Sequence, residues 1–318
     1  MATAHKIADD VLLPAAPEVD RSALVPRFHL DLLAHHGLYG LACDDDPRTL
    51  WAVAEVLASG CLATTFVWAQ HHGAVWALAA SGNDALRYTW LHLLCDGERR
   101  AGIAIGGIRP PEPSLRARRS GRGWRFDGMV PWVTGLGLID VVLTGAATDD
   151  ERVVWALLDA VPGPALRIEP LTLIAANASG TVQATFDGYA VDDARVVSID
   201  PYVPPPAHDG GGRFNGSFAL GVARRACALM GGSPLDDELD ARRRDLDAAT
   251  DDTMAAARGA ASELALRAAA RLVVDTGSRA VLAGGHAQRL LREAAFTAVF
   301  GTRRAIRDDL LTRLAPRT

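Results

Sequence analysis

Apolar residues along this chain repeat first at helical spacing, then in short alternating runs, then at helical spacing again. Recurrence every three or four residues buries one face of a helix, whereas alternation buries one face of a strand. Leu24, Phe28, Leu32 and His35 keep the helical spacing up to Gly37, and Val53, Val56 and Leu57 repeat it between Trp51 and Gly60. Leu62 to Leu78 follows as a strongly apolar helix carrying Gln70, His71 and His72. Past Arg99, β-branched runs at Trp124 to Val130, Asp140 to Thr144, Arg152 to Leu158, Thr181 to Phe186 and Arg195 to Ile199 are punctuated by Gly, Pro and Asp. They predict an antiparallel sheet, sandwich or small barrel. Pro201 to Gly212, with Pro204, Pro205 and Pro206 and three consecutive glycines, reads as a linker. Beyond it Phe214, Phe218, Val222, Ala226 and Leu229 mark a helix that Gly231 and Gly232 end. Ser233 is placed to cap the next helix, with Pro234 at its first position and Asp236 and Asp237 in its first turn, running to about Val274. Gly284 and Gly285 break the period, and His286 to Phe300 and Thr302 to Leu314 complete the chain. The expected organisation is a helical domain over 1–98, a β domain over 99–200 and a helical bundle over 201–318.

Composition removes several classes of function. With 318 residues, 49% of them hydrophobic, the chain can bury a large core. Its 38 acidic against 33 basic residues leave a net charge of -5, and the basic set holds a single lysine, Lys6. A nucleic-acid binder would be expected to carry a basic stripe. Cys43, Cys61, Cys95 and Cys227 lie far apart with no Cys-x-x-Cys pair, so neither a zinc site nor a disulfide scaffold is expected. Asp9 and Asp10 follow Lys6 closely, unlike a signal peptide, and no apolar run reaches the ~20 residues of a membrane helix. The expectation is a cytoplasmic protein with reduced thiols, no nucleic-acid partner, no membrane and no metal.

Gly123 to Gly135 reads Gly-Trp-Arg-Phe-Asp-Gly-Met-Val-Pro-Trp-Val-Thr-Gly, a strand, a turn at Asp127-Gly128 and a second strand ending in Trp-x-Thr. Residues two apart on a strand share a face, so Trp132 and Thr134 could address one planar ligand, the indole by stacking and the hydroxyl by donating to a ring nitrogen. A core tryptophan beside a satisfied threonine is the structural alternative. The stretch resembles the acyl-CoA dehydrogenase superfamily, whose matching strand sets a tryptophan against the flavin and a threonine near its reactive edge. Val56 to Gly73, Ser179 to Val197 and Gln288 to Thr302 resemble further family segments in the same order. The resemblance implies a helical N-terminal domain, an antiparallel β-barrel or sandwich in the middle and a C-terminal four-helix bundle. It also implies FAD, in preference to FMN or reduced flavin, between the β domain and the last helices. The family-matched positions for cofactor contact are Ile105, Gly106, Gly107, Trp132, Thr134, Gly301 and Thr302.

Against that family the chain departs at the chemistry. Acyl-CoA dehydrogenases need a carboxylate beside the substrate α carbon, commonly just before a Gly-Thr, and here that residue is Phe300, ahead of Gly301 and Thr302. The alternative position, on the first C-terminal helix, offers Asn215 and Ser217 but no acid, which leaves Asp209 and Glu293 as distant carboxylates. Glu293 falls where the family has a structural Arg-acid pair. The usual Thr-Glu-Pro and Gly-Ser-Asp residues are replaced by Ile-Arg-Pro-Pro-Glu-Pro-Ser, and Ala228 to Leu239 lacks the loop that meets a neighbouring subunit's FAD pyrophosphate. Arg242, Arg243 and Arg244 read as a phosphate contact or, alternatively, a solvated helix face. His71 and His286 are candidate acid-base groups; hydrogen-bonded core partners are the alternative. The chain is thus expected to be a shortened acyl-CoA dehydrogenase-like flavin oxidoreductase acting on an acyl thioester or related metabolite. A non-catalytic subunit in a heteromer with a related dehydrogenase, and a flavin monooxygenase, are the alternatives. A homodimer or tetramer is expected, with the alanine-rich Ala255 to Ala270 helix as a suitable surface.

Overall fold

The computed structural model describes residues 1–44, 46–109, 112–202 and 212–315. Helix begins at once: α1 (Ala2–Ile7) runs through a widened turn, Ala8–Leu12, into α2 (Leu13–Val19). The widening precedes Pro14 and Pro17, whose missing N–H groups and bulky rings break the regular ladder four residues back. In sequence the helical period is legible only from Leu24 onward, because prolines mask it here. The remaining N-terminal helices are α3 (Arg27–His35), α4 (Arg48–Gly60), α5 (Leu62–Ala79) and α6 (Asp84–Cys95). Helix α5 is apolar on every side because it is a strut between two cores. Phe66, Val67 and Trp68 sit among the helices, while Ala74, Val75 and Leu78 pack with Val141, Leu143 and Leu157 of the sheet.

Among the described residues eight strands follow: β1 (Ala101–Ala104), β2 (Leu115–Ser120), β3 (Gly123–Val133), β4 (Val141–Ala147), β5 (Arg152–Asp159), β6 (Leu166–Pro170), β7 (Val182–Asp192) and β8 (Val196–Pro201). They form one sheet in the order β6-β7-β3-β2-β4-β5-β8, with β1 beside β4. The sheet is mixed rather than purely antiparallel: β1 runs parallel to β4, and β2 meets β4 parallel at Arg116 and Ala147. Asp127-Gly128 is not a turn. Strand β3 passes straight through it, opposite an extra residue in β7, where Gly188 takes φ 59 and its N–H donates to the Asp127 carboxylate at 2.6 Å. A β-bulge on the partner strand accommodates the Asp-Gly pair that, in sequence, signals a hairpin.

The C-terminal helices are α7 (Gly212–Leu229), α8 (Asp236–Asp247), α9 (Asp251–Thr276), α10 (His286–Val299) and α11 (Arg304–Leu314). What reads as one helix to Val274 is two. Thr250 and Thr253 form a reciprocal cap that starts α9 afresh, and Ser233 and Pro234 precede α8 rather than opening it. Helix α9 is the hub of the bundle. Its Ala257, Ala260, Ala261, Ala265, Ala268 and Ala269 are buried within this chain, so the alanine face is core and not the oligomer surface expected from sequence. Small side chains there let α7, α10 and α11 approach closely. Of the stretch read as a linker, Pro201 ends β8 and Gly212 begins α7, while Pro204, Pro205, Pro206 and Asp209 lie outside the described residues.

Candidate functional site

The end of β3 does not deliver Trp132 and Thr134 as a regular strand would. Between the pairs Val130–Ala184 and Val133–Val182, two residues of β3 stand opposite one of β7, and Trp132 adopts φ 61. Left-handed backbone costs a bulky residue roughly 1–2 kcal/mol, and the inserted residue cancels the alternation on which a shared face depended. Trp132 is 63% exposed, whereas Thr134 is 2% exposed. Its hydroxyl lies 3.0 Å from that of Thr181, which lies 2.8 Å from that of Ser179. Ser179 and Thr181 complete a buried row of three hydroxyls, a pairing that spacing along the chain does not reveal.

Ile105, Gly106 and Gly107 come together with this strand end. A β-carbon on Gly106 would stand 2.6 Å from the Pro131 carbonyl oxygen, and one on Gly107 would stand 2.7 Å from Leu115. The glycines are therefore required by the approach of the β1 exit to β2 and β3, in addition to any ligand. Tyr202 closes the other side, its hydroxyl donating to the Ile108 carbonyl at 3.1 Å.

Beyond Thr134, Gly135 faces α5: a β-carbon there would lie 3.6 Å from Val67. Next to Val67, Phe66 packs edge-on against Phe296 and Phe300, with ring centroids 5.1 and 4.8 Å away. Phe296 and Phe300 stack within 9° of parallel, and Phe218 lies 5.6 Å from Phe300. Where the family would set a carboxylate, this chain has an aromatic cluster spanning α5, α7 and α10. Gly301 turns the chain at φ 59 beside the Asn215 side chain, and Thr302 donates its hydroxyl to the Ala298 carbonyl at 2.9 Å. His286 begins α10, the helix Phe300 ends, so about 21 Å of helix separates them. The structure does not bring His286 to the Gly301 end.

The other candidate polar groups have structural partners. His71 accepts the Ala101 N–H on Nδ1 at 3.1 Å, joining α5 to β1, and burial pushes it down to about 3. His286 faces Arg289 at 3.2 Å and is lowered by burial and then by that cation. Glu293 receives two bonds from Arg289, at 2.6 and 2.8 Å, in the core; burial raises it more than the arginine lowers it. Arg243 is no solvated side chain, since it clasps the buried Glu55 at 2.6 Å, while Arg242 pairs with Asp245. A cavity of about 540 Å³ opens beside that pair, lined by Arg48, Glu55, Arg213, Arg224, Arg243 and Asp247 among others, and it lies away from the β3 end.

Residues 1–98 match the family model for the acyl-CoA dehydrogenase N-terminal domain. Among solved structures, butyryl-CoA dehydrogenase from Megasphaera elsdenii is similar with a TM-score of 0.81 at 17% identity, over 98% of this chain and 96% of that one. Glutaryl-CoA dehydrogenase from Mycobacterium smegmatis, in complex with FADH2, is similar with a TM-score of 0.81 at 16% identity, over 99% and 94%. FkbI, described as serving biosynthesis of a methoxymalonyl extender unit, is similar with a TM-score of 0.77 at 20% identity, over 97% and 98%. No curated protein matches the chain by sequence. Residues 1–98 thus match that family's N-terminal domain, and the chain as a whole shares the three-part fold of these acyl-CoA dehydrogenases. Among the described residues, no helix is long and apolar enough to cross a membrane.

Proposed function

We propose that the chain is an acyl-CoA dehydrogenase-like FAD protein that handles an acyl thioester or related metabolite without the family's proton abstraction. Support for the cofactor comes from Trp132, an exposed indole that the fold holds in strained backbone at the rim of β3, beside the Gly106 turn. Strain kept at an exposed aromatic side chain needs a use, and stacking on a planar ring is one. Trp132 would cover a flavin ring at that point and the Ile105 to Gly107 backbone would border it, while the buried Thr134, its hydroxyl held by Thr181, would brace the strand end behind Trp132. Bound there, FAD would supply two-electron redox chemistry. The chain's own part is to bind and orient the ring and to exclude water with the apolar residues behind Thr134. Gly301 and Thr302 belong to the turn against Asn215 and would flank the site from the bundle side.

The observation that carries the catalytic half is the packing of Phe300 between Phe66, Phe218 and Phe296. A phenyl ring takes no proton, and Glu293, bound to Arg289, is committed elsewhere. That packing favours the heteromer reading as well, in which this chain is the non-catalytic subunit beside a related dehydrogenase. The test is an absorbance spectrum of purified protein incubated with FAD, followed by anaerobic addition of butyryl-CoA. A flavin spectrum that the thioester does not bleach is expected. Colourless protein would sink the cofactor assignment; bleaching by the isolated chain would sink the loss of proton abstraction. Co-elution with a co-expressed dehydrogenase-like subunit in size-exclusion chromatography would support the heteromer, and separate elution would count against it.

A further inference from the structure

Cys43 and Cys95, 52 positions apart, bring their sulfur atoms to 2.9 Å. The sequence offered four scattered thiols and no disulfide; folding has made a pair of two of them. Cys43 is exposed in the short turn Leu41–Cys43 after α3, Cys95 is half-buried at the last residue of α6, and Cys61 and Cys227 are buried elsewhere. The two backbones already touch: a β-carbon on Gly40 would stand 3.2 Å from the Cys95 carbonyl oxygen and 3.7 Å from its Cβ. Closing a bond between the sulfurs therefore asks for little chain movement.

We propose that Cys43 and Cys95 form a reversible dithiol–disulfide modification site whose oxidant is a low-molecular-weight disulfide such as oxidised glutathione. Cys43, the accessible thiol, attacks as thiolate on one sulfur of the small disulfide, whose other sulfur leaves as a thiolate and takes up a proton. Cys95 then gives up its proton and attacks the Cys43 sulfur, releasing the second small thiol. Two protein thiols and one small disulfide become one protein disulfide and two small thiols. Burial and then the neighbouring Cys43 push the Cys95 thiol up to about 12, which agrees with Cys43 acting first and Cys95 resolving.

The bond would staple a junction that the fold already clasps. Past Cys95, Gly97 packs at φ 70 against Ala34 and Tyr39, and Arg100 lies 5.7 Å from the Tyr39 ring centre and pairs with Asp31 of α3. The next residue starts β1. Oxidation would thus lock the exit of the helical domain into the sheet.

The test treats the native full chain with oxidised glutathione, quenches in acid and maps peptides without reduction. A linked Cys43–Cys95 peptide is expected, with the intact mass two hydrogens lighter and Tm raised by about 5 °C, all reversed by dithiothreitol. Cys95→Ser should trap Cys43 as the glutathione mixed disulfide, while Cys43→Ser should leave Cys95 unmodified in the folded protein. A stable mixed disulfide on Cys43 in the unmutated chain, or a link that forms only in denaturant or to another cysteine, would overturn the proposal. The assay reads no flavin and is independent of the functional reading above.

Discussion

At Trp132 the chain accepts strained backbone to hold an indole largely in solvent. Glycine occupies that conformation freely, so Trp132→Gly is expected to raise unfolding stability by up to about 1 kcal/mol while lowering flavin affinity at least tenfold. Urea unfolding and fluorescence titration with FAD check the two halves, and a destabilised variant would show that the indole serves packing instead. His72 poses the reverse case. It is fully buried among Trp68, His71 and Phe214, and neither ring nitrogen has a hydrogen-bond partner among the described residues. Burial, then His71, holds it well below the usual histidine range. An unfolded histidine takes up its proton near pH 6.5, but His71 does so only near 3 and His72 also late. Between those values the unfolded chain binds more protons, so stability is full above pH 6.5 and falls as pH drops. His72→Phe should lessen that acid slope and leave neutral-pH stability unchanged or about 1 kcal/mol higher, as urea melts from pH 7 to 4 would show.

Between elements, α4 and α7 cross with almost no space between their backbones. A β-carbon on Gly221 would stand 2.4 Å from the Glu55 carbonyl oxygen and 2.7 Å from the Ala58 Cβ. Gly221→Ala is therefore expected to cost about 2 kcal/mol by forcing two backbones apart, although alanine is the better helix former in isolation. A melt showing stabilisation would mean that the crossing is looser than its geometry. The same contrast separates what was legible. The apolar period of α4, α5 and α7 survives in sequence because each helix reports its own buried face. The bulges in β3 and β7 and the split between α8 and α9 do not, because each is decided by a partner strand or a local cap that competes with the period.

Across the whole molecule, the three parts share cores. Leu138, Ala176 and Ala178 of the β part and Phe214 and Phe218 of α7 belong to the same cluster as Leu30, Leu57 and Trp68. Helix α5 also packs on β1, where Ile103 would meet a β-carbon on Gly73 at 3.1 Å. Residues 1–98 expressed alone would expose the sheet-facing side of α5 and the surface that meets Phe214 and Phe218, a contiguous apolar patch of the kind that promotes aggregation. That fragment should lack near-ultraviolet circular dichroism and dispersed amide resonances, whereas the full chain melts in one transition. A folded, monomeric fragment would contradict the shared-core account.

The order of helices, strands and helices, the absence of an acid at Phe300 and the Trp-Val-Thr stretch were determined by sequence alone, since each depends on residue type and near-neighbour spacing. Tertiary structure decided how those residues face. It turned Trp132 outward and Thr134 inward through one inserted residue, buried the alanines of α9, committed Glu293 to Arg289, and brought Cys43 beside Cys95. Each of these is a contact between segments distant along the chain, and no local period encodes which distant surface a side chain will meet.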